Sequence, residues 1–306
     1  MTQLAEIEGR LAGMGELQDI VGAMRSLAAI RMQEALRALP GIRRYAESLE
    51  MAIATALQLV PSPPEQASGE PDRRLLVLCA AEHGFSGGFD ERLVQAAQAA
   101  LAAGGTLAVL GLRGAALALE RGLPVAWSAP MATRAVGAPD AIEHLVRELY
   151  ARIARGEVAR VEVMFGRYRQ GAAATVERRL LLPLDTTSLA ATHPRQPPMR
   201  HLAPRTLLER LIAEYVFALL TEAAVESISS ENAARFAAME SARDNVSRKL
   251  EELRRGVQQA RQAEITAELL DLITGAAALE APTARRGYQA TKIRYQVAPP
   301  SASARP

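Results

Sequence analysis

Between Pro204 and Pro282 the chain carries no proline, and its only glycines there are Gly256 and Gly275. Proline breaks a helix by removing an N–H and by clashing with the preceding turn, so this stretch is free to run as one helix. Thr206 and Glu209, just past Pro204, have the spacing of a capping box and mark its start. Val246, Leu250, Leu253, Val257 and Ala260 step by four, three, four and three, the spacing of a coiled-coil seam. A helix over 205–279 would be roughly 110 Å long at 1.5 Å per residue. No compact domain buries a helix of that length, so much of it must project and find a partner.

The other end of the chain supplies one. Over 1–60, apolar residues fall at Leu4, Ile7, Leu11, Met14, Leu17, Val21, Met24 and Ala28, a single helical stripe. Pro40-Gly41 interrupts the pattern and predicts a kink or break. The stripe resumes at Tyr45, Leu49, Ala52, Ile53 and Ala56, and prolines then crowd 61–71, which reads as a linker. The period changes over 72–200. Apolar runs at 75–78, 106–110, 125–127, 158–168 and 175–183 alternate with helical patterns over 91–103 and 141–154. Strands alternating with helices predict an α/β layer on a largely parallel sheet. Residues 280–306, rich in Pro, Ala and Ser, read as a flexible tail.

Composition excludes several function classes. Aromatics are 4% of the chain, too few for a base-stacking surface. The net charge is +2, and all but two of the 36 basic residues are arginine. The basic excess sits in the tail, where Arg285, Arg286, Lys292, Arg294 and Arg305 face Glu280 alone. A nucleic-acid binder would carry that excess on its body. Cys79 is the single cysteine, so no intramolecular disulfide forms, which suits a reducing compartment. Glu6 and Glu8 interrupt the N-terminus before any apolar run, which predicts no secretory signal. The charge-free stretch 93–112 is long enough to span a bilayer. Its glutamines and Gly104-Gly105 read instead as helix, turn and strand, and no transmembrane segment is predicted.

The chemistry of nucleotide hydrolysis is missing. A phosphate-binding P-loop needs lysine directly after glycine, yet Lys249 follows Arg248 and Lys292 follows Thr291. His83, His144, His193 and His201 show no metal-ligand spacing, and no cofactor is expected. Gly84-Phe85-Ser86-Gly87-Gly88 fits G-x-S-x-G between a predicted strand and helix, the setting of a hydrolase nucleophile elbow. Ser86 would attack, with Asp140 or Asp185 and His193 or His201 downstream. An esterase of this kind would lose activity on Ser86→Ala. A free-standing coiled-coil scaffold is the other alternative, and would self-associate through the long helix.

Several blocks occur in an order that resembles the γ subunit of F-type ATP synthases, over about residues 1–279. They are Ile20-Val21-Gly22-Ala23-Met24-Arg25, Gly84-Phe85-Ser86-Gly87-Gly88-Phe89 and Leu181-Leu182-Pro183-Leu184. The C-terminal blocks are Ser230-Glu231-Asn232-Ala233-Ala234-Arg235-Phe236, Ala260-Arg261-Gln262-Ala263, Ile265-Thr266 and Gly275-Ala276-Ala277-Ala278. Asn232 stands where the family usually has histidine, and lysine is nearly absent; these departures fit a divergent or second F-type enzyme.

The resemblance implies an α/β chain in which a long antiparallel coiled coil of N- and C-terminal helices carries a Rossmann-like α/β central domain. It implies a rotor shaft inside a ring of α and β subunits, with the ε subunit and the membrane ring of c subunits below. Catalytic nucleotide sites would lie on β. By family position, Met24 and Arg25 would meet the moving β lever, and Arg261, Gln262, Thr266 and Glu268 would be gripped by β. Leu270, Ile273, Ala276, Ala277, Ala278 and Leu279 would form the shaft-tip bearing. The expected location is peripheral, on the cytoplasmic face of a bacterial inner membrane.

Overall fold

The computed structural model of the chain describes residues 3–60, 73–169, 174–184 and 201–280. The linker expected at 61–71, the tail after Glu280, and Asp185 and His193 of the hydrolase alternative lie outside them. The element order is α1 (Gln3–Leu57), β1 (Arg74–Cys79), α2 (Phe89–Ala100), β2 (Thr106–Leu110), α3 (Leu112–Glu120), β3 (Val125–Ala129), α4 (Ala138–Ala154), β4 (Arg160–Arg167), β5 (Thr175–Leu182) and α5 (Pro204–Glu280). The chain forms two compact units. One is Leu11–Glu251; the other comprises, among the described residues, 3–10 and 252–280.

In the larger unit the sheet order is β3-β2-β1-β4-β5. The first four strands are mutually parallel and β5 runs antiparallel at one edge. Alternation along β1 assigns its faces. Leu76 and Leu78 pack with Leu107, Val109, Leu93 and Ala118 under α2 and α3. Leu75, Val77 and Cys79 pack on the opposite face with Leu145 and Leu149 of α4 and Ala223, Ala224 and Ile228 of α5. Ala35, Leu39, Ala46 and Leu49 of α1 join this second core. The middle of α5 therefore runs between α1 and the sheet, and residues 218–232 are buried on all sides.

The two helices pair antiparallel within this unit. Gln18 bonds Ser247, Arg25 bonds Glu240 and Arg43 bonds Glu222, so the α5 partner's number falls as the α1 number rises. Of the kink or break expected at Pro40, the break does not occur: α1 is continuous through it. Packing on both sides overrides the local preference, because Leu39 and Ala46 are buried against the second core while Pro40 itself faces solvent. The charge-free run 93–112 resolves into the end of α2, a 3₁₀ turn at Leu101–Ala103, and β2. Among the described residues no helix is long and apolar enough to cross a membrane.

Candidate functional site

Two of the sequence blocks meet in space. β1 delivers the chain to the glycine-rich turn, where Phe85 (φ 63°) and Gly87 (φ 58°) take the left-handed conformation. That conformation costs a non-glycine residue steric strain. Asp90, in the first turn of α2, fixes the turn. Its Oδ1 accepts the Ala81 N–H at 2.9 Å, and its Oδ2 accepts the Ser86 hydroxyl at 3.2 Å. Ser86 is buried and its hydroxyl is used structurally, which leaves the hydrolase reading without an accessible nucleophile.

From α5, Arg235 reaches across to the same turn. Its Nη2 donates to the His83 carbonyl at 3.1 Å and to the Gly84 carbonyl at 3.2 Å. It pairs with Glu231 at 2.6 Å and donates to Asn232 Oδ1 at 3.3 Å. Asn232, the departure from histidine, donates in turn to the Ile228 carbonyl. Burial pushes the Glu231 carboxyl up to about 7, against the pull of Arg235 and with Asp90 adding to the rise. Gly166 of β4 allows the close approach of α5. A Cβ there would lie 2.5 Å from the Phe89 ring and 3.0 Å from Ser230 Cβ.

Met24 and Arg25 sit on α1 beside this junction. Met24 is half-buried and lines a cavity of about 310 Å³ with Leu27, Arg31, Phe85 and Arg235. Arg25 is half-buried too. It pairs with Glu240 of α5 at 2.5 Å and lies over the Phe236 ring at 5.6 Å. Around them Ile20, Leu27 and Phe85 are exposed, giving α1 and the turn a joint apolar face. Sequence reasoning missed Arg235, Glu240 and Phe85 as site residues. A buried-helix arginine and a non-glycine residue in a glycine turn were the available signals.

The remaining candidates belong to the smaller unit. Arg261 is exposed and its guanidinium meets Glu8 at 3.1 Å. Gln262, Thr266 and Leu270 line one shallow groove, with the Thr266 hydroxyl donating to the Gln262 carbonyl at 2.8 Å. Glu268 and Ala276 are exposed. Leu270 and Ile273 are more than half exposed, as are Ile265, Leu269 and Leu272 beside them. The side chains of Ala277, Ala278 and Leu279 lie outside the described set.

A model of the ATP synthase family matches residues 3–279. The ATP synthase gamma chain of Chlorobaculum tepidum is 27% identical over 292 residues, covering 92% of this chain and all of the relative. That of Chlorobium luteolum is 28% identical with the same coverage. Among solved structures, a chain of the Euglena gracilis mitochondrial ATP synthase (OSCP/F1/c-ring) aligns with TM-score 0.62 at 13% identity, over 95% of this chain and 99% of its own. A chain of the Tetrahymena thermophila mitochondrial ATP synthase central stalk/c-ring aligns with TM-score 0.54 at 18% identity, over 73% and 99%.

Proposed function

The chain belongs to the ATP synthase family, and from that membership we propose that it is the central-stalk rotor subunit, the γ chain, of a rotary F-type ATP synthase. The observation that carries this reading is the family match over 3–279, which takes in both long helices and the α/β layer. The subunit is non-catalytic. Its work is to bias the affinities of nucleotide sites on partner subunits. An asymmetric shaft makes different contacts with each β subunit, so each β site binds nucleotide with a different affinity. Turning the shaft moves those contacts from one β to the next, exchanging binding free energy for rotation.

The partners are the α and β subunits of the ring, the ε subunit and the c ring, and the complex holds the chain peripherally at the cytoplasmic face of a bacterial inner membrane. Met24 and Arg25 face the β lever. Their exposed apolar neighbours Ile20, Leu27 and Phe85 support this role, and Arg25 acts there as one half of its pair with Glu240. Arg261, Gln262, Thr266 and Glu268 are the grip, all of them exposed. Leu270, Ile273 and the run Ala276 to Leu279 are the bearing.

The test is reconstitution. The full chain, mixed with α and β subunits and returned to vesicles holding the membrane ring, should restore ATP-driven ion uptake that is absent without it. Failure to co-assemble with α and β would sink the rotor reading. Esterase activity lost on Ser86→Ala would revive the hydrolase one.

A further inference from the structure

Along 218–232, where α5 is buried on all sides, only Leu219, Leu220, Val225 and Ile228 are large aliphatic residues. The rest are mostly alanine, serine and glutamate. Small side chains give dispersion contact but shallow ridges, so away from the close fit of Ser230 on Gly166 shape opposes a slide of α5 only weakly. Of the three buried glutamates, Glu231 pairs with Arg235 of α5 itself, whereas Glu222 and Glu226, one turn apart and 7% and 4% exposed, meet arginines of other elements.

Glu222 bridges two neighbours at once. Its Oε1 accepts Arg43 Nε of α1 at 3.0 Å, and its Oε2 accepts Arg179 Nη1 of β5 at 2.8 Å. Arg43 also donates to Glu226, one turn along α5. Arg179 lies over the Phe165 ring and continues to Glu177 at 3.3 Å, which takes Arg167 of β4 at 2.7 Å. Although burial alone would raise it, the Glu222 carboxyl is held below its ordinary value by Arg179 and Arg43.

We propose that the ion chain Arg167–Glu177–Arg179–Glu222–Arg43–Glu226 is a register lock that carries torque between the α1–α5 coiled coil and the sheet. This rests on the rotor reading. Three arginines alternate with three glutamates along the chain, and the buried carboxylates of Glu222 and Glu226 are both paired in the register observed. Moving α5 by a turn one way sets Ala218 opposite Arg179. Moving it the other way brings Glu226 opposite Arg179 but carries Glu222 past it, to where Ala218 is now buried. Either slip strands a buried charge, a heavier penalty than the smooth apolar contacts impose. These are positioning residues, acting through the geometry they hold.

Stability and torque transfer separate in one variant. Replacing Arg43, Glu222, Glu226 and Arg179 together by Met, Leu, Leu and Met exchanges the lock for apolar groups and leaves Arg167 paired with Glu177. Such exchanges of whole buried ion groups are commonly neutral or stabilising. The measurement is ions pumped per ATP in vesicles holding the full complex, against a rising ion gradient, alongside the melting temperature. The expected result is an unchanged or raised melting temperature with at least a twofold loss of pumping per ATP at high gradient. Wild-type pumping across the gradient series would overturn the lock. If the fourfold variant does not assemble, Arg43→Lys with Glu222→Asp keeps every charge and removes the fork geometry. A graded loss of pumping is then expected, and wild-type pumping in that pair overturns the lock equally. Absence of ATP-driven pumping with the wild-type chain would count against the rotor reading instead.

Discussion

Glu231 is a carboxyl whose protonation the fold itself sets. Burial lifts it from 4.5 to about 7, even with Arg235 at 2.6 Å. Between those two values the unfolded chain has released the proton and the folded chain keeps it. The folded state therefore binds more protons, so this group's contribution is full below about 4.5 and is lost as pH rises to about 7. Glu231→Gln should flatten that slope. Urea unfolding at pH 5 and pH 8 should show the wild type losing more stability between the two than the variant does. Equal losses would mean that the pair with Arg235 keeps Glu231 ionised throughout. The sequence displays Glu231 and Arg235 as an ordinary (i, i+4) pair. The carbonyls that hold Arg235 at the glycine turn belong to His83 and Gly84, some 150 residues away, which no local pattern reports.

At the scale of elements, the long helices and the five strands are legible because their signals are periodic and repeat over many residues. Helix α3 is not. It follows β2 after the single residue Gly111 and contains Gly114, which reads as a breaker. Yet a Cβ at Gly114 would lie 2.1 Å from Ala80 Cβ, so packing demands the glycine. Pro40 misleads in the opposite sense, since contacts made far away in sequence keep α1 helical through a local breaker. Its cost should still be measurable. Pro40→Ala restores an N–H for the Leu36 carbonyl, and the ring it removes is exposed. A gain of up to about 3 kcal/mol in denaturant unfolding is expected, and a loss would show that the proline relieves strain in α1. The residues proposed as the grip allow a complementary test, because their exposure separates function from folding. Arg261→Ala with Gln262→Ala should leave the melting temperature of the chain unchanged while lowering ATPase turnover of the assembled complex. Charge-assisted hydrogen bonds to a partner are worth about 1.5–3 kcal/mol each. Normal turnover would remove both residues from the grip.

At the scale of the whole molecule, the described residues leave a large apolar surface uncovered. Ile265, Leu269, Leu270, Leu272 and Ile273 crowd one end of α5, and each is more than half exposed. Burying one such side chain is worth about 1.5–3 kcal/mol, so several together drive association with whatever apolar surface is available. The net charge of +2 supplies little repulsion to keep copies apart. The isolated chain should therefore self-associate, and sedimentation velocity should show oligomers that grow with concentration. Ile265→Gln, Leu269→Gln and Leu272→Gln together should return it to monomer, since helix propensity changes little while the apolar surface is lost. Adding α and β subunits to the wild type should have the same effect by covering the surface. A wild-type chain that stays monomeric would mean that these residues fold against another part of the chain. A chain that self-associates equally with and without the three substitutions would place the contact elsewhere, on the α1 face around Ile20 and Leu27.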